Sequence, residues 1–239
     1  MDPANETFGS STLRRVGMWS ATATAFFAAV AFAVAVTTPP RTGPFAASAT
    51  AISYPYSAAD RFVPRDFIWM YLALAMMLAF VVMTACVRER SVGSRRLFGT
   101  VGLSLATASF TVIAVDYFIQ LRTVQTSLVL GEADRLAVLS QYNPHGVFIA
   151  LEELGFLVGG VSFCFLAMAL GSSRLELVTA WVLLVSSALV IVAFVGLSAQ
   201  FGLHIEYRFE VAAIAIVWLT LLVTAVLVAL VFSKSTPGD

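Results

Sequence analysis

The chain has 239 residues, of which 59% are hydrophobic and 12% charged, with a formal net charge of zero and a mean hydropathy of +0.90. A soluble domain carries about 25% charged residues because its surface faces water, so this composition excludes an ordinary soluble protein. The lack of excess positive charge also excludes a protein that binds nucleic acid through a basic surface.

Six long apolar segments fill most of the chain. A helix of about 20 apolar residues crosses a hydrocarbon core of about 30 Å, and each segment reaches that length. The predicted spans are Val16–Val36, Phe67–Val87, Leu97–Leu121, Gly146–Leu170, Leu177–Leu197 and Val211–Phe232. The sequence therefore predicts an all-α polytopic membrane protein, a bundle of six transmembrane helices that forms one domain over residues 1–239.

The first span follows Arg14 and Arg15, an arrangement that is also typical of a signal peptide. Its 21 residues exceed the hydrophobic region of a signal peptide, which has about 7–15 residues, and this favours a retained helix. An Ala-x-Ala pattern at residues 33–35 leaves cleavage as the alternative.

Basic residues predict the orientation. The short connector 88–96 holds four arginines, and short connectors rich in Lys and Arg stay in the cytoplasm. With that connector inside, the inner segments hold 8 basic and 5 acidic residues, whereas the outer segments hold 6 basic and 9 acidic. Both termini are therefore predicted to be cytoplasmic, and the localisation is predicted to be the cell membrane.

Two outer connectors are long. Residues 37–66 contain five prolines, which resist regular helix and indicate an ordered or semi-ordered loop. Residues 122–145 are predicted to be an interfacial segment, within which Ser127–Leu139 resembles a short amphipathic helix around Glu132, Asp134 and Arg135.

Ionisable and polar residues gather near the outer ends of three predicted spans. Ionisable residues inside a membrane are costly and mark functional positions or buried pairs. On the third span, Asp116 and Gln120 share one helical face with Ser109. The candidate ligand- or ion-binding residues are Asp116, Gln120, Arg122, His145, Glu152, Glu153, Arg208 and Glu210.

Helical spacing decides between the two adjacent glutamates of the fourth span. Glu152, Gly155, Gly159 and Ser162 fall on one face, and the Gly-x-x-x-Gly pattern allows a neighbouring helix to approach closely. Glu152 is therefore predicted to point into the bundle, and Glu153 to point elsewhere.

Two interpretations of this cluster remain open. In the structural one, Arg122 and Arg208 neutralise the carboxylates and fix the register of the helices. In the functional one, the carboxylates line an outward-facing cavity that receives a cation, a proton or a polar ligand.

Other chemistry is not indicated. His145 and His204 lie at the outer boundary without a metal-binding spacing, and Cys86 and Cys164 lie outside any CxxC motif. The chain has no GxSxG nucleophile elbow, so no catalytic residue, cofactor or metal is predicted. Trp19, Trp69 and Trp181 lie near span ends, as interfacial anchors do.

Three strings, residues 116–120 (DYFIQ), residues 141–146 (QYNPHG) with residues 151–155 (LEELG), and residues 64–66 (PRD), resemble segments of multipass prokaryotic membrane proteins. The resemblance covers roughly the second to fourth spans. The resemblance implies the multipass architecture that the apolar segments also predict. It covers segments that hold candidate site residues, but it implies no activity.

The predicted function is binding or conduction of a small polar solute, ion or proton through the outer-side cluster of carboxylates and arginines. The expected partners are the lipid bilayer and such a solute or ion. No nucleic acid is expected as a partner, and the sequence indicates no oligomeric state. One alternative is a non-transporting accessory or sensory subunit with a structural polar network. The other is a membrane-embedded enzyme that uses Asp116 or Glu152 on a lipid-like substrate. Few polar residues lie in the inner halves of the spans, which disfavours transport.

Overall fold

The computed structural model describes residues 3–132 and 136–234, and all regular structure in these ranges is helical. Six helical segments of the described chain are long and apolar enough to cross a membrane, which agrees with the six predicted spans. The α-helices are α1 (Pro3–Val36), α2 (Ile68–Arg90), α3 (Arg95–Ile119), α4 (Gln125–Leu130), α5 (Val147–Ala169), α6 (Arg174–Phe201) and α7 (Tyr207–Lys234).

The long helices form a closed ring in chain order. Each packs against the next, α7 returns to α1, and α5 also contacts α7 across the bundle. We call the end that holds the 37–66 loop the carboxylate end, and the end that holds the Arg88–Arg96 connector the arginine end. That the arginine end faces the cytoplasm stays a prediction, which rests on the charge distribution.

The third long helix extends past its predicted end at Leu121. A π-helical turn at Gln120–Val124 leads directly into α4, so the first nine residues of the predicted interfacial segment 122–145 belong to this helix. The helix ends at Gly131, which has a left-handed φ of +72°, and the amide of Glu132 donates to the carbonyl of Ser127 at 2.8 Å. This is a Schellman ending, which glycine favours because it lacks Cβ.

The amphipathic helix predicted over Ser127–Leu139 is wrong as a single element. Gly131 interrupts it, and a separate 3₁₀ turn follows at Leu136–Val138. Asp134 and Arg135, on which part of that prediction rested, lie outside the described residues.

Small residues set the contact between α3 and α5. The hydroxyl of Ser109 donates to the carbonyl of Gly155, and the hydroxyl of Ser162 donates to the carbonyl of Gly102, both at 2.8 Å. A Cβ atom added at Gly159 would lie 2.9 Å from Ser109 Oγ. The structure therefore confirms that the Gly155/Gly159 face of α5 meets a neighbouring helix closely.

Candidate functional site

Three helices bring carboxyl groups together near the carboxylate end. Asp116 of α3, Glu152 of α5 and Glu210 of α7 interact electrostatically with one another, and we call these three residues the carboxyl cluster. Asp116 is 1% exposed and Glu152 is fully buried. On α5, Glu152 lies one turn before Gly155, so the close packing of α5 on α3 carries this carboxyl group into the bundle.

Hydrogen-bond donors are scarce around the carboxyl cluster. The hydroxyl of Tyr117 donates to Glu152 Oε1. Asp116 Oδ2, Glu152 Oε2 and Glu210 Oε2 are buried and have no hydrogen-bond donor within the described chain. The side chains of Glu152 and Glu210 lie close enough to interact electrostatically.

The arginines expected to neutralise these carboxylates do not contact them. Arg122 is exposed and makes no ion pair with any residue that the structure describes. Arg208 pairs with Glu206 at 3.2 Å, and its guanidinium lies 4.3 Å from the centre of the Phe201 ring. The pairing expected under the structural interpretation is therefore not found for these two arginines.

The remaining predicted site residues have other positions. Gln120 is buried and holds a loop: its amide donates to the carbonyl of Leu139 at 2.5 Å and accepts from the amide of Gln141 at 3.0 Å. His145 is exposed. Glu153 is half-buried and interacts with Glu152 and Glu210. Over the described ranges, no three His, Cys, Asp or Glu side chains are arranged to hold a metal ion.

A cavity of about 340 Å³ opens beside the carboxyl cluster, between α1, α7 and the connecting loops of the carboxylate end. Glu210 is the member of the cluster that lines it. Aromatic side chains form much of the remaining wall: Phe32, Phe45, Trp69, Tyr142 and Tyr207. The apolar part of the wall includes Val36 and Val211, which are exposed on α1 and α7, and Ile214, which is partly buried. The cavity thus joins a carboxyl group to aromatic and apolar surfaces.

A second acidic residue in the cavity wall is fully paired, in contrast to Glu210. Asp66 is 2% exposed and accepts from Arg41 Nε at 2.8 Å and from Arg65 at 3.3 Å. The hydroxyl of Tyr142 donates to the same carboxylate at 3.3 Å. Burial and the neighbouring Asp66 raise the pKa of the Tyr142 hydroxyl, so this group stays protonated and remains a donor.

The loops of the carboxylate end are tied to α7 at the edge of the cavity. The hydroxyl of Thr42 contacts the carbonyl of Tyr142 at 2.7 Å and the hydroxyl of Tyr207 at 2.6 Å. Tyr207 also donates to the carbonyl of Gln141 at 3.0 Å. Gly43 has a left-handed φ of +70°, and a Cβ atom there would lie 2.5 Å from the Tyr207 ring. These contacts fix the shape of the cavity.

Sequence reasoning missed several residues of this site. Trp69 was expected to be an interfacial anchor, but it is buried, and its indole donates to the carbonyl of Asp66 at 3.0 Å. Its ring lies 5.1 Å from that of Tyr117 and 6.0 Å from that of Trp218. Arg41 and Tyr142 were not singled out as site residues either. The strings 64–66 and 141–146 were the available signal, since they include Asp66 and Tyr142.

Comparisons of the chain with protein-family models, with curated proteins and with solved structures gave no match.

Proposed function

We propose that this membrane protein binds a small organic cation, such as a protonated amine, in the cavity at the carboxylate end. One observation carries the proposal: the carboxyl groups of two buried residues, Asp116 and Glu152, and of half-buried Glu210 lack a cationic partner in the described chain, and Glu210 lines a cavity. Buried carboxylates without partners are costly, so such an arrangement is retained where a proton or a cation completes it.

The charge of the cavity wall favours a cation. Arg41 and Asp66 cancel each other, because they form a buried ion pair. Glu210 then leaves the wall with an uncompensated acidic group. An ammonium group has only hydrogen-bond donors, so it complements carboxyl oxygens that lack donors.

The size and the walls of the cavity favour an organic cation. Its volume of about 340 Å³ is in the range of small-molecule sites, about 300–1,000 Å³. Trp69, Tyr142 and Tyr207 line the cavity, and the face of an aromatic ring attracts an ammonium group. The apolar part of the wall, at Val211 and Ile214, suits the hydrocarbon portion of such a ligand.

Packing beneath the cluster supports binding rather than conduction. One turn from Asp116 towards the arginine end lies Ile113, and one turn from Glu152 lies Phe156; both are buried, as is Trp218 of α7. These side chains fill the bundle below the carboxyl groups. We also propose that the carboxylate end faces outwards across the cell membrane, since the short connector 88–96 with four arginines lies at the other end.

Titration with benzylammonium tests the proposal, with benzyl alcohol as the uncharged comparison. Trp69 lines the cavity, so a ligand bound there should quench tryptophan fluorescence. Benzylammonium should quench it saturably, and benzyl alcohol should not. Glu210→Gln should weaken binding by at least about tenfold, because it removes the carboxylate of a partly buried charge pair. Binding to the unsubstituted protein should weaken as the pH falls, because protons and ammonium groups compete for the same oxygens.

Glu206→Gln is the matched control, since Glu206 pairs with Arg208 and does not line the cavity. It should bind benzylammonium like the unsubstituted protein. Equal quenching by benzyl alcohol, or equal affinity in the Glu210→Gln protein, would refute the proposed cation site.

A further inference from the structure

A second cavity, of about 280 Å³, lies at the arginine end, on the opposite side of the bundle from the carboxyl cluster. It is formed where α2, α5 and α7 end and where α3 and α6 begin. Arg90, Arg95 and Ser172 line its polar side, and Val228, Val231 and Phe232 of α7 line its apolar side.

The acidic residue in this cavity is already satisfied. Glu176 accepts hydrogen bonds from the amide of Ser173 at 3.2 Å and from its hydroxyl at 2.6 Å, in the capping box that begins α6. Arg90 Nε lies 3.5 Å from the other oxygen of the same carboxylate. A Cβ atom added at Gly171 would lie 2.5 Å from Glu176 Oε2, so the backbone packs directly against this group. The pair of Arg90 and Glu176 is therefore neutral and fixed.

Arg95 provides a charge that none of the described carboxylates balances. It lines the cavity and is exposed, and among the side chains of residues 11–132 and 136–234 no carboxylate lies within 4 Å of its guanidinium. The next residue differs: Arg96 pairs with Glu89 at 3.2 Å and does not line the cavity. The cavity thus carries one net positive charge next to an apolar wall.

We propose that this cavity binds a phosphate group, with Arg95 as its main contact and Ser172 as a further donor. The guanidinium group presents parallel N–H donors that match two phosphate oxygens. Both a phospholipid headgroup and a soluble phosphate carry this chemistry. The apolar wall from Val228 to Phe232 favours the lipid, since these buried side chains would pack against a hydrocarbon chain attached to the phosphate.

To test the proposal, the full chain is reconstituted into lipid nanodiscs. Nanodiscs of phosphatidylcholine alone are compared with nanodiscs that also contain phosphatidylglycerol, and inorganic phosphate is added to the first kind in a separate arm. The measurements are the thermal unfolding midpoint and the lipid retained on the protein in native mass spectrometry. Phosphatidylglycerol should raise the midpoint and remain bound.

Arg95→Gln should weaken phosphatidylglycerol binding by about tenfold, because a charge-assisted hydrogen bond is lost. Arg96→Gln, the matched control, should behave like the unsubstituted protein. Ser172→Glu places a negative charge in the cavity and should weaken binding as Arg95→Gln does. Agreement between the two variants would show that the weaker binding does not come from misfolding of the Arg95→Gln protein.

A midpoint raised by inorganic phosphate alone, and lost in Arg95→Gln, would support the phosphate site and assign it to a soluble ligand. Equal responses of the Arg95→Gln, Ser172→Glu and Arg96→Gln proteins in every arm would overturn the proposal. The outcome is separate from that of the benzylammonium experiment, because the two cavities lie at opposite ends of the bundle.

Discussion

Two buried aspartates of this protein have opposite surroundings. Asp66 accepts hydrogen bonds from Arg41, Arg65 and Tyr142. Asp116 lies beside Glu152, and its Oδ2 has no donor among the described residues. The same side-chain chemistry is thus paired with arginines in one place and surrounded by other acidic groups in the other, which gives the two residues different effects on stability.

Asp66→Asn should lower the free energy of unfolding by about 3–5 kcal/mol, because Arg41 would remain buried without a carboxylate partner. Asp116→Asn should leave this free energy unchanged or raise it, because it removes an acidic group that is buried beside Glu152 and whose Oδ2 has no donor among the described residues. Circular dichroism during unfolding by sodium dodecyl sulfate, in one detergent at neutral pH, measures both effects.

Asp60→Asn is the control for this pair, since Asp60 is exposed and its side chain accepts only from the neighbouring amide of Arg61. Its stability should match that of the unsubstituted protein. If Asp116→Asn destabilised the fold as much as Asp66→Asn, the carboxyl cluster would be a structural network rather than a binding site.

At the scale of the helices, the pairing of α3 with α5 positions the carboxyl cluster. Ser109 and Asp116 lie on the same face of α3, and Gly155 and Glu152 lie on the same face of α5. Because both helices approach closely at their small residues, the carboxyl groups one or two turns away are also brought together. On each of the two helices, the same face thus holds both the small residues that pack and the carboxyl group that joins the cluster.

Gly159→Leu should destabilise the bundle by about 1–3 kcal/mol or more, because even a Cβ atom at this position would lie 2.9 Å from Ser109 Oγ. The thermal unfolding midpoint in detergent is the measurement. Gly196→Leu on α6 is the matched control, since a Cβ atom there would meet no other atom within 4 Å. Equal midpoints for the two variants would show that α3 can move away from α5 without cost.

For the whole molecule, the central question is which end of the bundle faces the cytoplasm. The Arg88–Arg96 connector, Arg174 and Lys234 all lie at the arginine end, whereas the 37–66 loop and the carboxyl cluster lie at the other. Basic connectors are retained in the cytoplasm during insertion. This distribution predicts cytoplasmic termini and an outward carboxylate end.

Cysteine labelling in whole cells tests that orientation. In a protein with Cys86 and Cys164 replaced by alanine, Ser48→Cys should react with a membrane-impermeant maleimide, because Ser48 is exposed in the 37–66 loop. Ser94→Cys, exposed in the arginine-end connector, should react only after permeabilisation. The reverse pattern would invert the predicted topology.

The sequence by itself determined the features that depend on local periodicity. Long apolar runs fixed the six helices, and residue spacing along α5 correctly placed Glu152 and Gly159 on a packed face. The sequence also predicted that acidic residues at the outer ends of three helices lie at one level, and Asp116, Glu152 and Glu210 do interact with one another. Helical geometry repeats with the chain, so faces and depths can be read from one segment at a time.

Only the tertiary structure decided which groups are partners. Charge alone could not assign Arg208 to Glu206, Arg41 to Asp66, or the indole of Trp69 to the interior. Such contacts join residues far apart in the chain, and they depend on the rotation of each helix and the path of each loop. Periodicity within one segment carries no information about these quantities, so the unpaired state of the carboxyl cluster emerged only once the helices were packed together.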